Sequence, residues 1–455
     1  MKVFSNMKNK YIIFGLLCVA LSGSSCKKYF EGINDNPNQP ENVTPDVLLA
    51  SSEAHLAYAI AGDISRYTTV WMQQGTGFDR QMAVAGNYSV LAGDFDNVWG
   101  FNLYGGPLND LVILNQMAKE KDYKTYAGIS KILLAYGMGI VTDCWGNVPY
   151  SNAFKGADNL KPSFDTQESV YTMLLALCDS AINDLSAADP GPLAPGGDDF
   201  IYGGDVVAWT MAANVLKAKL YLHLGLIDNA NYGKALTALG VEGTDCFGAN
   251  SDDCQFNFGG TETSAGPWYQ FNSQRGDIDF TGNLLDQMIA TGDPRLDSYI
   301  DTTGGDAYMA GFYGDLTSPF IFMSFAEQKF IESEAAFKSN NPGRAATAFN
   351  EGVRASLAKH GASDAAWEGT YANEDGISIT LEKIIGQKYV ALFTHPEVWT
   401  DWRRTGFPTL SPTPGNVTGG IIPTRFPYPL GEQKFNSGNC PIGVPVTAKV
   451  WWDAN

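Results

Sequence analysis

Apolar residues recur at helical spacing along much of this chain, and the pattern is clearest near its C-terminal end. Between residues 381 and 393 the apolar side chains lie three and four positions apart, at Leu381, Ile384, Ile385, Tyr389, Leu392 and Phe393. Residues at this spacing share one face of an α-helix. The segment therefore predicts a helix whose apolar face packs against other helices.

A second, shorter helix is predicted to begin directly afterwards. Thr394 and Glu397 have the spacing of a capping box, and Gly406 and Pro408 should end the helix. Two tryptophans, one acid and two bases lie within it: Trp399, Asp401, Trp402, Arg403 and Arg404. We interpret this helix as a tryptophan-rich corner of the core with an Asp–Arg pair at a helix end. A sugar-binding or catalytic site is the alternative interpretation.

The same periodicity predicts further helices, several of them in pairs. We expect helices over residues 44–61, 123–140, 165–185, 205–224, 325–338 and 344–359. Asp165 and Asp205 are placed to cap two of them. Each helix pair can bury its apolar face only against the next pair, as in tetratricopeptide-like stacking. The predicted fold is therefore all-α, with a scaffold of stacked helix pairs and a loop-rich side.

Two long stretches rich in Gly, Asp and Asn interrupt the helices, near residues 240–282 and 302–318. A Pro/Gly-rich tail follows from Thr409. Loops of this length inside a folded domain are usually functional. We therefore expect the ligand-binding side of the protein to be built from them.

The first of these loops contains aromatic, amide and guanidinium side chains, namely Trp268, Tyr269, Phe271, Asn272 and Arg275. Flat aromatic faces stack on sugar rings, while amides and arginine bind hydroxyl groups, so this set predicts an oligosaccharide-binding surface. The same side chains could hold a peptide backbone, or the aromatics could pack inward and order the loop. Phe78, Arg80 and Tyr88, from an earlier loop, are weaker candidates for the same surface.

Sequence patterns of catalysis are largely absent. The four histidines, His55, His223, His360 and His395, show no HExxH spacing, and the chain has no GxSxG, GxxxxGK or GxGxxG motif. We therefore expect no catalytic residues, no metal and no cofactor. A pair of carboxylates for glycoside cleavage remains an alternative, because the fold and not the sequence spacing sets their separation.

The N-terminus predicts export and a lipid anchor. Lys8 and Lys10 precede a short apolar run that ends at Leu21, and small residues lead to Cys26. This run is too short to cross a bilayer and is typical of a signal peptide over residues 1–25. Cys26 would carry the lipid at the start of a tether over residues 26–43, and the folded domain would span residues 44–455. A secreted protein without lipid is the alternative, and the net charge of −19 argues against a nucleic-acid partner.

Five cysteines remain after those of the signal peptide and the lipidation site: Cys144, Cys178, Cys246, Cys254 and Cys440. An odd number leaves at least one thiol free. Cys246 and Cys254 bracket a short polar loop and could form a disulfide in an oxidising compartment.

Several stretches together resemble the SusD/RagB family of outer-membrane nutrient-binding lipoproteins of the Bacteroidetes, in its SusD-like branch. They include TDCWGNVPYSNAF, GDPRLDSYI and FAEQKFIESEAAF, and they occupy residues 34–52, 142–154, 198–220, 292–300, 325–337, 382–408 and 422–436. Together with the signal that ends at Cys26 they span almost the whole mature chain. The resemblance implies an all-α fold of four tetratricopeptide-like helix pairs.

The resemblance also implies a function. A member of this family would bind oligosaccharide at the cell surface, anchored in the outer membrane and facing the exterior. It would deliver the ligand to a SusC-like TonB-dependent β-barrel transporter. A peptide-binding, RagB-like member is the alternative within the family, and a surface glycoside hydrolase is the alternative outside it.

Overall fold

The computed structural model of the chain describes residues 43–187, 189 and 193–453. The predicted signal peptide, the lipidation site Cys26 and nearly all of the tether lie outside the described residues.

The described chain is mostly helical. Its α-helices are, in chain order, α1 (Pro45–Ala59), α2 (Ser65–Trp71), α3 (Arg80–Gly86), α4 (Pro107–Lys121), α5 (Lys124–Trp145), α6 (Gln167–Ser186), α7 (Val206–His223), α8 (Ala230–Leu239), α9 (Pro267–Gln274), α10 (Asn283–Thr291), α11 (Leu296–Tyr299), α12 (Gly311–Gly314), α13 (Phe325–Lys338), α14 (Pro342–Lys359), α15 (Ala365–Tyr371), α16 (Leu381–Ala391), α17 (Glu397–Thr405) and α18 (Leu430–Phe435). Two π-helical segments, Ile60–Ile64 and Val98–Tyr104, follow α1 and precede α4. The predicted all-α class is confirmed.

The strands are short and form three two-stranded antiparallel sheets. They are β1 (Thr76–Gly77), β2 (Cys254–Asn257), β3 (Ile278–Asp279), β4 (Ile300–Asp301), β5 (Tyr308–Met309) and β6 (Pro319–Met323). β1 pairs with β3, β2 with β6, and β4 with β5. The two long stretches predicted as loops therefore contain strands and the helices α9 and α12, and the expectation of structureless loops was wrong there.

Neighbouring helices pack in pairs, as the sequence predicted. α4 packs on α5, α5 on α6, α6 on α7, α7 on α8, and α13 on α14. The pair α13/α14 contributes Phe330, Phe349, Val353 and Leu357 to a buried cluster that also holds Ile384 and Ile385 of α16. The predicted apolar face of α16 is thus buried against this helix pair.

Local hydrogen bonds explain where several helices begin. Asp205 caps α7 as predicted and accepts bonds from the backbone N–H groups of Val207 and Ala208 at 2.8 and 3.2 Å. α6 is capped by Thr166 and not by Asp165, which corrects the prediction by one residue. Asp165 instead accepts from the N–H of Tyr150 at 2.9 Å, so its carboxylate fixes the segment after α5.

α5 is long and apolar enough to span a membrane by length and composition, but its residues from Thr125 to Trp145 are all buried within the described chain. All its faces contact protein. It is therefore the central core helix of a folded domain.

The predicted tryptophan-rich corner at α17 is confirmed as core. Trp399 is 1% exposed, and its ring stacks on Phe426 of the C-terminal tail at 5.2 Å. Arg404 binds Asp401 at 2.6 Å, which is the expected Asp–Arg pair. Gly406 ends the helix with a left-handed backbone (φ 76°) that glycine adopts without strain.

The predicted capping box at the start of α17 was wrong. Pro396 is the N-cap residue, and the N–H of Glu397 donates to Nδ1 of His395 at 3.1 Å. The backbone N–H of Thr394 donates to the side chain of Gln74 at 2.8 Å. The contact between Thr394 and the distant Gln74 therefore holds Thr394 in place, and Thr394 does not cap the helix as its spacing from Glu397 had predicted.

The disulfide between Cys246 and Cys254 is not formed, because both are buried free thiols. Cys254 lies in β2 opposite Met323, whereas Phe247, next to Cys246, exchanges hydrogen bonds with Gln328 of α13. Each cysteine is held by a different neighbour. Burial raises the pKa of the Cys246 thiol to about 12, which keeps it in its unreactive protonated form.

Candidate functional site

The aromatic residues that the sequence placed on a ligand-binding loop lie on the short helix α9. Pro267 occupies its first turn, a position that favours helix initiation. Trp268 and Phe271, three positions apart, face the interior and are 5% and 8% exposed. Tyr269 and Asn272 are partly exposed. Burial therefore divides the predicted set into an inner and an outer half.

Trp268 belongs to the inner half. Its indole N–H donates to Oγ of Ser65 at 3.0 Å, and that hydroxyl donates to the carbonyl of Thr394 at 2.5 Å. Its ring lies 5.7 Å from that of Phe280 and lines a cavity of about 60 Å³. Trp268 thus packs inward. Inward packing was the alternative to a role in ligand binding that the sequence left open.

The inner side of α9 also holds Phe271 between two cations. The guanidinium of Arg66 lies 4.6 Å from the ring centroid of Phe271, and that of Arg275 lies 5.8 Å from it. These cation–π contacts fix Arg275 above a buried ring. Phe271 is therefore a buried ring that packs against the guanidinium group of Arg275.

Arg80 and Arg275 converge on one buried carboxylate although they are far apart in the sequence. β1 pairs with β3, and the N–H of Phe78 donates to the carbonyl of Asp277 at 3.1 Å. Asp277 is fully buried, and its carboxylate binds Arg275 at 2.7 Å as well as Arg80. The side chain of Arg80 is nevertheless 55% exposed and that of Arg275 is 38% exposed. Asp277 thus orients two guanidinium groups at the protein surface.

Phe78 and Arg80 therefore lie near Arg275, at the C-terminal end of α9. Tyr88 does not lie on this surface. It is 2% exposed, and its hydroxyl accepts a bond from the N–H of Thr413 at 3.0 Å. Tyr88 anchors the C-terminal tail, and the expectation that it faces a ligand is corrected.

The hairpin β4–β5 adds one aromatic side chain that the sequence argument missed. The N–H of Phe280 donates to the carbonyl of Ala307 at 2.9 Å, and Asn272 of α9 contacts the sulfur of Met309 at 3.7 Å. Tyr308 is 59% exposed, and its hydroxyl donates to Asp306 at 3.0 Å. That hydrogen bond, with the charges of Asp306 and Asp279, raises the pKa of Tyr308.

We refer to the resulting solvent-facing set as the Phe78 surface; it comprises Phe78, Arg80, Tyr269, Asn272, Arg275 and Tyr308. Tyr308 could have been found from the sequence, because it is an aromatic residue in a Gly/Asp-rich stretch, the criterion that selected Trp268. Asp277 gave no such signal. Its role depends on the pairing of β1 with β3.

The Phe78 surface combines exposed aromatic rings with guanidinium and amide donors. Phe78 is 59% exposed and offers a ring face, while the arginines offer several N–H groups each. This combination suits a ligand with apolar C–H faces and many hydroxyl or carbonyl oxygens. Among the described residues, no group of three or more His, Cys, Asp or Glu side chains could hold a metal ion.

Comparisons with known proteins identify the family. A family model of SusD-like proteins, described as starch-binding and associating with the outer membrane, matches residues 37–429. Among curated protein sequences, none matches this chain.

Solved structures share the fold over nearly the whole chain. A chitin-binding SusD homologue from Flavobacterium johnsoniae is 23% identical, with a TM-score of 0.76, and the match covers 90% of this chain and 99% of that one. A SusD/RagB family protein from Bacteroides thetaiotaomicron is 21% identical, with a TM-score of 0.75, over 91% of this chain and 99% of that one. A SusD-like protein of the Bacteroidetes is 18% identical, with a TM-score of 0.75, and the match covers 91% of this chain and 100% of that one. The chain therefore belongs to the SusD-like family of starch-binding proteins that associate with the outer membrane.

Proposed function

We propose that this protein is a cell-surface lipoprotein that binds oligosaccharides at the Phe78 surface and delivers them to a SusC-like TonB-dependent β-barrel transporter. The observation that carries the binding proposal is the convergence of Arg80 and Arg275 on the buried Asp277, whose backbone is bonded to that of the exposed Phe78. The family description as starch-binding supports a carbohydrate ligand. So does the chitin-binding homologue with the same fold.

Each part of the Phe78 surface has a role in this proposal. Phe78 and Tyr308 stack on the C–H faces of sugar rings, which removes apolar area from water on both sides. Arg80 and Arg275 donate hydrogen bonds to hydroxyl oxygens. Asp277 holds both guanidinium groups in place before the ligand arrives, which lowers the entropy lost on binding.

The protein acts in this proposal by binding alone. SusD-like family members are binding proteins. Captured oligosaccharide is therefore released intact to the transporter.

The lipid on Cys26 would hold the protein at the outer membrane, where the family is associated. Several acyl chains give durable anchoring where one does not. Labelled palmitate should enter the wild-type protein and not the Cys26→Ala variant when both are expressed in a member of the Bacteroidetes. Labelling that persists in the variant would contradict this anchor.

The binding proposal is tested with labelled maltohexaose and chitohexaose. We expect the purified protein to retain at least one of them without cleavage, and Phe78→Ala to weaken binding by about fivefold because it removes a stacking ring. Phe200→Ala is the matched control, since Phe200 is similarly exposed at 52% but lies outside the Phe78 surface.

Three other results would each change the conclusion. Turnover of either glycan would favour a hydrolase. If the protein binds peptides and neither glycan, the RagB-like alternative is favoured. Equal loss of binding in Phe78→Ala and Phe200→Ala would remove the Phe78 surface from the proposal.

A further inference from the structure

A second groove with aromatic walls lies outside the Phe78 surface. It is formed by the π-helical segment Val98–Tyr104, the start of α4, the segment after α5, and α18. Its volume is about 400 Å³, which is within the range of small-ligand sites. We call it the Trp99 groove; the residues used below are Trp99, Tyr104, Asn109, Phe154 and Glu432. None of them belongs to the Phe78 surface.

The walls of the Trp99 groove are already arranged as a stack of rings. The ring of Tyr104 lies 5.6 Å from that of Phe154, nearly parallel at 19°, and 4.7 Å from that of Trp99. The hydroxyl of Tyr104 donates to the carbonyl of Pro149 at 2.7 Å, which fixes the middle ring. Phe154 has a left-handed backbone (φ 60°), a conformation that bulky residues rarely adopt. The surrounding structure must therefore hold this ring in place.

The indole N–H of Trp99 differs from that of the other buried tryptophans in the described chain. Every other buried tryptophan in the described chain donates its indole N–H to a protein oxygen, as Trp145 does to the carbonyl of Pro427 at 2.9 Å. Trp99 is 4% exposed and lines the groove, yet its N–H has no acceptor among the described residues. Because Trp99 lines the groove, its N–H group is available to water or to a ligand there.

Two further polar side chains in the groove have free hydrogen-bonding capacity. Asn109, on the first turn of α4, makes no side-chain hydrogen bond to any described residue. One carboxylate oxygen of Glu432 accepts from Asn436 at 3.0 Å, which leaves the other oxygen available. The groove thus offers an indole donor, an amide that both donates and accepts, and a carboxylate acceptor.

We propose that the Trp99 groove is a second carbohydrate-binding site that takes one sugar unit of an oligosaccharide. A sugar ring presents apolar C–H faces to the stacked rings, and its hydroxyls both donate and accept, which matches this mixed polar set. An apolar side chain would leave the Trp99 N–H and the Asn109 amide without partners, and an anion would face the carboxylate of Glu432. The site rests on the proposed oligosaccharide function, and it gives the protein a second point of contact with a long glycan.

The test follows the indole N–H signal of Trp99 by NMR in isotope-labelled protein, with the signal assigned from its disappearance in Trp99→Phe. Addition of maltohexaose or chitohexaose should shift this signal, and the shift should persist in Phe78→Ala. Asn109→Ala should weaken the binding that the signal reports by about fivefold, the loss expected for one or two hydrogen bonds. Gln116→Ala, an amide two turns further along α4, should leave it unchanged.

The outcomes separate this site from the proposed function. If the protein retains a glycan and the Trp99 signal does not move, the groove is not a sugar site and the Phe78 surface stands alone. A shift that vanishes in Phe78→Ala would mean that the groove only responds to binding elsewhere, which also overturns the proposal. If neither glycan binds at all, the proposed function fails together with this inference.

Discussion

Arg404 in α17 and Arg80 on the Phe78 surface both bind carboxylates, but their surroundings differ. The side chain of Arg404 is 1% exposed, and its partners Glu334 and Asp401 are 0% and 3% exposed. The side chain of Arg80 is 55% exposed, while its partner Asp277 is fully buried. Where both partners are buried, neither group is available to a ligand. Where the carboxylate alone is buried, the arginine is oriented and remains available to a ligand.

The buried side of this comparison extends into a network of charges. Lys388 of α16 binds Asp401 at 2.8 Å, and His223 of α7 binds Glu397 at 2.7 Å. Burial raises the pKa of Glu334, but the charge and hydrogen bonds of Arg404 outweigh burial and lower it overall. The network joins helices that are distant in sequence, and each charge in it depends on its partners.

Removing Glu334 should have the largest effect. Glu334→Ala leaves Arg404 buried with one carboxylate fewer, so we expect a loss of about 3–5 kcal/mol in the free energy of unfolding, measured by chemical denaturation. Glu368→Ala, which removes the partner of the half-exposed Arg354, is the control and should cost about 1 kcal/mol or less. Equal losses in the two variants would contradict the distinction between buried and exposed pairs.

The pH dependence of stability should report the pair between His223 and Glu397. Burial lowers the pKa of His223, but Glu397 and Asp143 raise it by more, to about 9. The folded state therefore holds a proton that the unfolded state releases above its own pKa of roughly 6.5. This stabilisation is complete below pH 6.5 and is lost as the pH rises through 9.

The measurement is the difference in unfolding free energy between the wild type and His223→Gln, taken from pH 6 to pH 9.5. That difference should shrink by roughly 3 kcal/mol over this range. Taking the difference between the two proteins cancels the contributions of groups that both contain. Lys359 is one of them, because burial lowers its pKa to about 8. A difference that stays constant with pH would show that His223 is not protonated in the folded protein.

Asp277→Asn should have the smallest effect on stability. The amide keeps the shape and an acceptor, and the two arginines can turn toward water, so we expect a loss of about 1 kcal/mol in denaturation experiments. Binding of the labelled glycans should weaken as well, because neither guanidinium is held in place. A loss as large as that of Glu334→Ala would place Asp277 with the buried network and remove the contrast between the two regions.

The helical part of the fold could be predicted from the sequence because its signals are local. The spacing of Leu381, Ile384, Ile385 and Tyr389 defines a buried face wherever the helix is placed. The turn at Asn340 and Asn341 is equally local and separates α13 from α14. α9 was missed although Pro267, Trp268 and Phe271 carry its signal, because a helix of eight residues in a glycine-rich stretch resembles a loop.

The sequence by itself determined the helical class, the main helix pairs and the presence of aromatic and arginine residues near a ligand surface. Only the tertiary structure decided which of those residues face solvent. Trp268 and Tyr269 are adjacent in the chain, yet one lies in the core and the other at the surface. Asp277 meets Arg80 only because β1 pairs with β3 across about 200 residues. Periodicity is a property of neighbouring residues, whereas burial and ion pairing depend on segments that approach each other only after folding.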